Sequence, residues 1–128
     1  YCNPDTSACM STRSSILVHI STDDIGEWQM ALRNLANLVN DDSVETPPEL
    51  MEVVVNGPGV RFLLERSPEA AKVTRMAEAG VEIAACANSL DRFDHPAQEL
   101  ATGVTTVRSG VAEVVRVQQR GDTYLKLP

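Results

Sequence analysis

Cys86 is the residue of this sequence with the clearest potential for chemistry, because of where it falls in the chain. It follows a mainly apolar run, Val81 to Ala85, that predicts a strand, and it precedes a short helix predicted to begin near Asn88. In an open α/β sheet, ligands bind at the carboxyl ends of strands, where a following helix directs unpaired N–H groups at them. A cysteine in that corner can be held as a thiolate, the nucleophilic form of the residue. The pattern therefore indicates thiol chemistry at Cys86.

The residues around Cys86 leave the acidity of the thiol open. Asn88 is a good N-cap and Asp91 follows three residues later, a near variant of the capping box. The positive end of such a helix would stabilise a thiolate by about 0.3–1 kcal/mol. Burial against Ile83 and Ala85 would instead favour the neutral thiol. The alternative hypothesis is that Cys86 is a small buried apolar side chain without chemical function.

Two other groups are predicted to lie at the same edge of the sheet. His19 falls near the carboxyl end of a β-branched run, Ile16 to Ile20, which makes it a candidate base or hydrogen-bond donor for the thiol; the alternative is a core histidine bonded to the backbone. The turn Asn56-Gly57-Pro58-Gly59 joins a predicted strand to a predicted helix and can form one wall of a pocket. The turn has neither the GxGxxG spacing nor the GK[ST] ending, so no dinucleotide or nucleoside triphosphate cofactor is predicted.

Composition argues against several classes of function. At 128 residues, 43% hydrophobic and 4% aromatic, the chain predicts one domain with an aliphatic core. A net charge of −7 argues against nucleic acid or an anionic membrane surface as a partner. No apolar run approaches the ~20 residues of a membrane span, and with no export signal recognised we expect a cytoplasmic protein. The three cysteines form no CxxC pair, so neither a metal site nor a disulfide framework is predicted.

The first fifteen residues differ in character from the rest. Residues 1–15 are polar without an apolar period, and they predict a flexible extension to a single domain over residues 16–128. Met10 is a candidate natural start, which would make the first nine residues an upstream or artificial segment. The alternative is that Cys2 or Cys9 resolves an oxidised or persulfidated Cys86.

Strands and helices alternate along the remainder of the chain. Predicted strands are Ile16 to Ile20, Leu50 to Val55, Val81 to Ala85, Val104 to Val107 and, at an edge, Tyr124 to Leu127. Helices are predicted from the Asp24 cap to Val39, from Val60 to Glu65, from Ser67 to Ala79, after Asn88, and from Val111 to about Arg120. This alternation predicts a parallel sheet with helices on both faces.

Apolar spacing predicts how two of these helices pack. The predicted core stripe of the first helix comprises Ile25, Trp28, Leu32, Leu35 and Val39. In the last helix the predicted stripe is Val111, Val114 and Val115. Val117 lies off that stripe, which indicates contact with another subunit.

The order and spacing of several short segments resemble the DsrE/DsrF-like family, in particular its small stand-alone members. The resemblance covers Ile16 to Leu127. The segments that carry it are the first strand with His19, Trp28 to Asn37, the turn from Asn56 to Gly59, Gly80-Val81, Ala85 to Leu90, Ser109-Gly110-Val111, and Gln118 to Tyr124.

This resemblance implies a three-layer α/β/α subunit with a mainly parallel five-stranded sheet, assembling as a homo-oligomer, commonly a trimer or hexamer. In the sulfur-relay members a cysteine carries sulfur as a persulfide between a donor protein and an acceptor protein, and Cys86 matches that cysteine. The implied function is a sulfurtransferase-type persulfide carrier without a cofactor. Its catalytic residue would be Cys86, and its pocket would be formed by His19, Asn56, Gly57, Gly59, Asn88 and Ser89.

Two functions from other classes stay open on the sequence. One is a non-catalytic module that binds a small molecule in crevices of the oligomer, with Cys86 as a packing residue. The other is a thiol redox sensor, which requires an exposed and easily oxidised Cys86. The rate of Cys86 alkylation against pH separates the two thiol functions from the binding module.

Overall fold

A parallel sheet of five strands forms the centre of the computed structural model, which describes residues 15–128. The strands are β1 (Ile16–Ile20), β2 (Met51–Val55), β3 (Glu82–Cys86), β4 (Val104–Val107) and β5 (Thr123–Lys126), in the spatial order β4-β3-β2-β1-β5. The helices are α1 (Ile25–Val39), α2 (Ala70–Glu78), α3 (Ala87–Arg92) and α4 (Gly110–Gln119). Short 3₁₀ segments span Pro48–Leu50, Gly57–Leu63 and Ala97–Glu99. The predicted α/β class and five-stranded parallel sheet are confirmed.

The two faces of the sheet bury very different amounts of apolar surface. Among the described residues, the face under α1 and α2 belongs to a cluster of eighteen buried residues that includes Val18, Val53 and Trp28. The other face belongs to a cluster of four, Leu17, Val54, Ala84 and Val117, the last of which comes from α4. Alternation along each strand divides the side chains between these faces. The α4 face is therefore the thinly covered one.

Most element boundaries agree with the sequence prediction to within two residues. The bounds of β1, β4 and α1 are those predicted, and the Asp24 carboxylate caps α1 by accepting from the Glu27 N–H at 2.8 Å. The segment predicted as a helix from Val60 to Glu65 is instead a 3₁₀ segment that begins earlier, at Gly57. Glycine at positive φ followed by proline favours such a tight local turn.

Two predicted apolar stripes were partly wrong. Ile25 is 44% exposed because it occupies the first position of α1, before the helix reaches the core. In α4, Val117 is buried, whereas Val111 is 61% exposed. The stripe that meets the sheet is Gly110, Val114 and Val117, an i, i+4, i+7 pattern whose first member is glycine. Because glycine has no apolar side chain, the pattern was not recognised in the sequence.

Residues 1–14 lie outside the described residues, and so do the hypotheses about Cys2, Cys9 and Met10. Residue Ser15, the last of the predicted extension, accepts a backbone hydrogen bond from the Thr123 N–H of β5 at 3.0 Å. Across residues 15–128, none of the helices has both the length and the apolar character that crossing a bilayer requires.

Candidate functional site

The carboxyl ends of three adjacent strands bring His19, Asn56 and Cys86 to one edge of the sheet. β2 lies between β1 and β3, and the register pairs Val55 with Ile20 on one side and with Ala85 on the other. Asn56 directly follows β2, so its backbone lies between the ends of the two flanking strands. His19 and Cys86 fall on the face covered by α4, because they alternate with residues of the larger cluster.

Cys86 occupies the turn from β3 into α3. The helix begins at Ala87, so Cys86 itself is the N-cap residue, and the predicted cap at Asn88 was wrong by two positions. The Asn88 side chain does not cap the helix; its backbone N–H lies 3.3 Å from the carbonyl oxygen of Arg108. Cys86 therefore lies closer to the first free N–H groups of α3 than the sequence predicted.

Several hydrogen-bond donors surround the Cys86 sulfur. The Gly110 N–H, the first of α4, donates to Sγ at 3.3 Å. Burial raises the pKa of the thiol, but hydrogen bonds from the Ser89 hydroxyl and from the backbone N–H groups of Gly110, Ser89 and Asn88 lower it by more. The net effect is a Cys86 pKa below its ordinary value, because these donors bind the anion better than the neutral thiol. We call these four groups the thiolate cradle.

The Ser89 hydroxyl is held in place by the turn after β2. The Gly57 N–H donates to Ser89 Oγ at 2.8 Å, and the Ser89 side chain is buried. With its lone pair engaged by Gly57, the hydroxyl keeps its own hydrogen free to bond the Cys86 sulfur. The Asn56-to-Gly59 turn thus contributes to the site through Gly57 and Ser89.

His19 belongs to a polar chain with Tyr124 and Asn56 at this edge of the sheet. Its Nε2 lies 2.7 Å from Asn56 Oδ1 and its Nδ1 lies 2.9 Å from the Tyr124 hydroxyl. An amide oxygen only accepts hydrogen bonds, so Nε2 carries a proton and donates to Asn56 Oδ1. Within residues 15–128, His19 makes no hydrogen bond to the Cys86 sulfur.

Gly110 packs against both neighbouring strands and was not predicted as a site residue. A Cβ atom at this position would lie 3.0 Å from the Asn56 Cβ, 3.2 Å from Val54 Cγ1 and 3.4 Å from the Cys86 Cβ. The missing side chain is what allows the first N–H of α4 to reach the sulfur. The sequence carried only the local part of this signal: Ser109 caps the last helix, accepting from the Ala112 N–H at 3.2 Å, and Gly110 follows it. The approach to Asn56, Val54 and Cys86 appears only in the folded chain.

Gly59 has a different role from the one predicted for a pocket wall. A Cβ on Gly59 would come within 2.4 Å of the Thr22 carbonyl oxygen, so this glycine is required for packing against the loop after β1. Its close contacts are with Ser21 and Thr22. The structure thus brings His19, Asn56, Gly57, Asn88 and Ser89 to the edge where Cys86 lies. Gly59 instead allows the turn to pack against the loop after β1.

The site offers a nucleophile rather than a set of metal ligands. Between residues 15 and 128, no three His, Cys, Asp or Glu side chains converge as they would around a metal ion. Cys86 is 5% exposed, so very little of the residue meets solvent. The arrangement can hold Cys86 as a thiolate.

Comparison with known proteins agrees with this geometry. A model of the DsrE/DsrF-like family matches residues 15–127. The chain belongs to the DsrE/DsrF-like family. A search of curated proteins finds no match for this family member.

Three solved structures have folds similar to that of this DsrE-like chain. MTH1491 of Methanobacterium thermoautotrophicum, a protein of unknown function, is 30% identical with a TM-score of 0.80, over 88% of this chain and 98% of its own. BT1422 of Bacteroides thetaiotaomicron, also of unknown function, is 18% identical with a TM-score of 0.72, over 91% and 97% of the two chains. The ychN protein of E. coli is 16% identical with a TM-score of 0.67, over 88% and 98%. The latter two, at lower identity, show the shared fold alone.

Proposed function

We propose that this DsrE-like protein is a sulfur carrier that takes up sulfane sulfur as a persulfide on Cys86. The thiolate cradle supports the proposal, because the Gly110 N–H donates to the Cys86 sulfur at 3.3 Å and the hydrogen bonds of the cradle together lower the pKa of the thiol in spite of burial. A cysteine that only fills space in a core has no need of such donors. Membership of the family supports the same chemistry.

The proposed reaction is two thiol exchanges without net oxidation. The Cys86 thiolate attacks the outer sulfur of a donor persulfide, which forms the Cys86 S–S bond and releases the donor as a thiolate. An acceptor thiolate then attacks the outer sulfur of the Cys86 persulfide, takes it, and returns Cys86 to its thiolate. Cys86 Sγ is the attacking thiolate in the first exchange and the leaving thiolate in the second, and the thiolate cradle stabilises this anion in both.

The limited exposure of Cys86 restricts how a sulfur donor or acceptor can reach its sulfur atom. Cys86 as a residue is only 5% exposed, which favours a narrow approach to its sulfur over contact with a broad protein surface. In the persulfide, the outer sulfur lies about 2.05 Å beyond Sγ, so it is the atom that an acceptor would meet. We propose that Cys86 loads from a small or extended donor and presents this outer sulfur.

Sulfur loading tests the proposal directly. A C2S/C9S chain, in which Cys86 is the remaining cysteine, is incubated with inorganic polysulfide and its intact mass is recorded. We expect a gain of one sulfur atom that a reducing thiol removes, and no gain in the same chain carrying Cys86→Ala. No gain in either chain, or an equal gain in both, would overturn the sulfur-carrier function.

A non-catalytic binding module is the second candidate, and the low exposure of Cys86 is what favours it. Under this alternative Cys86 is a packing residue, its alkylation is slow at every pH, and ligand binding survives Cys86→Ser. The pH dependence expected of a thiolate in the cradle is absent from this alternative, so one titration distinguishes the two.

We further propose that the protein works in the reducing cytoplasm as a homo-oligomer. A persulfide carrier needs a thiol that is not locked in a disulfide, which a reducing compartment ensures. The thinly covered α4 face carries two exposed valines, Val111 at 61% and Val115 at 46% exposure. A second copy seated there would shield both side chains from water.

A further inference from the structure

A groove between α1 and α2 lies on the opposite face of the sheet from Cys86. Its cavity volume is about 560 Å³, within the usual range for small-molecule sites. Leu32, Ala36 and Met76 contribute apolar lining from both helices. Leu32 and Met76 pack with the larger core cluster, which places the groove on the α1 and α2 side of the sheet. The proposed sulfur chemistry makes no use of this cavity.

The groove is lined by positive charges, although the chain as a whole is negatively charged. The protein has 18 acidic and 11 basic residues, yet the groove is lined by Arg33, Lys72 and Arg75 and by no carboxylate. Lys72 is paired with the buried carboxylate of Glu69 at 3.4 Å. Arg33 and Arg75 make no side-chain hydrogen bond or ion pair anywhere in residues 15–128. Two uncommitted guanidinium groups therefore flank an apolar cavity.

We propose that the groove binds an organic anion, namely a molecule with an apolar body and a carboxylate, sulfonate or phosphate head group. The apolar lining of α1 and α2 would cover the body of the ligand, and Arg33 and Arg75 would hold the head group from either side. Guanidinium groups suit this role because their planar donors match the paired oxygens of such anions. The proposal stands on the groove alone and does not depend on Cys86.

Fluorescence titration with 8-anilinonaphthalene-1-sulfonate tests the site, because this probe combines an apolar ring system with an anionic head. We expect saturable enhancement in the wild-type protein that octanoate displaces. The R33Q/R75Q double variant should bind the probe about tenfold or more weakly, since each substitution removes a charge-assisted contact. Arg92→Gln, which removes an exposed arginine on α3, is the matched control and should bind as the wild type does.

A second variant probes the cavity rather than its charge. Ala36→Phe adds a ring inside the groove from a helix surface that is only partly buried, so we expect loss of probe binding with an unchanged circular dichroism spectrum. Cys86→Ala should bind the probe as the wild type does, which separates this site from the sulfur-carrier function. The proposal is overturned if the wild type gives no saturable enhancement, or if R33Q/R75Q and A36F bind the probe as tightly as R92Q.

Discussion

At the scale of single residues, the acidity of Cys86 is decided by two opposing effects. Burial at 5% exposure disfavours the thiolate, and the hydrogen bonds of the thiolate cradle favour it. The hydrogen bonds have the larger effect, so the pKa of Cys86 is lowered. Ser89 is the side-chain member of this cradle, and its hydroxyl is fixed by Gly57. The proposed nucleophile therefore depends on a neighbour that never forms a bond to the transferred sulfur.

Removing the Ser89 hydroxyl should raise the Cys86 pKa. In Ser89→Ala the sulfur loses one donor while remaining buried, so we expect the midpoint of alkylation against pH to rise. At pH 7 the alkylation rate should fall accordingly. Ser67→Ala, which removes a hydroxyl near the start of α2, is the control and should leave the midpoint unchanged. A midpoint that stays the same in Ser89→Ala would contradict the role given to this serine.

Glu52 is a second residue whose environment changes its acidity. Burial raises its pKa to about 8, the facing carboxyl group of Glu113 and the charge of Glu82 add to the increase, and Arg120 opposes it. Glu52 therefore holds a proton at neutral pH and can donate it to Glu113. Its Oε2 is buried without a hydrogen-bond donor in the described part of the chain, and a negative charge on such an oxygen is costly, which favours the protonated form.

This proton makes stability depend on pH in a defined direction. The folded protein keeps the proton between the unfolded pKa of about 4.5 and the folded pKa of about 8, so the free energy of unfolding should fall as pH rises through that window. Glu52→Gln keeps a neutral donor and should be more stable than the wild type by about 1–2 kcal/mol at pH 8, after allowance for solvent screening. Urea unfolding of the two proteins at pH 5 and pH 8 measures both the fall in the free energy of unfolding with pH and the gain in stability of Glu52→Gln.

The exposed residue Glu78 gives a matched control for this experiment. Glu78→Gln removes a carboxylate from the end of α2 without touching the Glu52–Glu113 pair, so the fall in stability between pH 5 and pH 8 should persist. If the free energy of unfolding of Glu52→Gln falls between pH 5 and pH 8 as much as that of the wild type, the proton on Glu52 is not the cause of the pH dependence.

At the scale of elements, the site depends on how closely α4 approaches β2 and β3. Gly110 allows this approach, because a methyl group there would lie 3.0 Å from the Asn56 Cβ. The first N–H of α4 can then reach the Cys86 sulfur. One glycine therefore links the packing of a helix to the acidity of a thiol.

Gly110→Ala should weaken both packing and acidity. The added methyl group forces α4 outward, so we expect a loss of about 1–3 kcal/mol in the free energy of unfolding and an increase in the Cys86 pKa. Gly26→Ala is the control, since a Cβ in the first turn of α1 meets only the Asp24 carboxylate at 3.3 Å. That variant should leave the Cys86 pKa unchanged. A Gly110→Ala protein with wild-type stability and wild-type alkylation would contradict the packing argument.

Local sequence signals predicted the elements well and the site in part. The apolar run of β1 and the Asp24 cap gave correct bounds for β1 and α1, because both signals act within a few residues. Gly110 was missed because its contribution depends on Asn56 and Val54, which are distant in sequence and meet it only in the folded chain. The stripe of α4 was misassigned for a related reason, since its first member has no side chain to show the pattern.

At the scale of the whole molecule, the unequal faces of the sheet bear on the proposed oligomer, because the α4 face buries less apolar surface than the other. α4 buries Val117 against the sheet and leaves Val111 and Val115 exposed beside the Cys86 edge. Val111 directly follows Gly110, so an interface on this surface would lie close to the thiolate cradle. Subunit contact was predicted from Val117, and the structure moves the proposed contact to the opposite side of the same helix.

Charge on this surface should disrupt the proposed oligomer. V111D/V115D places two carboxylates where the interface would exclude water, so we expect the protein to become monomeric in light scattering after gel filtration. Met30→Asp on α1 changes another exposed apolar side chain and should leave the oligomer intact. A wild-type protein that is itself monomeric, or an oligomer unaffected by V111D/V115D, would contradict this interface.

The rate of Cys86 alkylation by iodoacetamide, measured against pH in the C2S/C9S chain, tests the central claim most directly. The thiolate cradle predicts a single inflection below the ordinary cysteine pKa of about 8.5, with appreciable reaction at pH 7. A rate that stays near zero across the range, or an inflection above about 9, would mean that the sulfur is sealed in the core as a neutral thiol, and the sulfur-carrier function would be wrong.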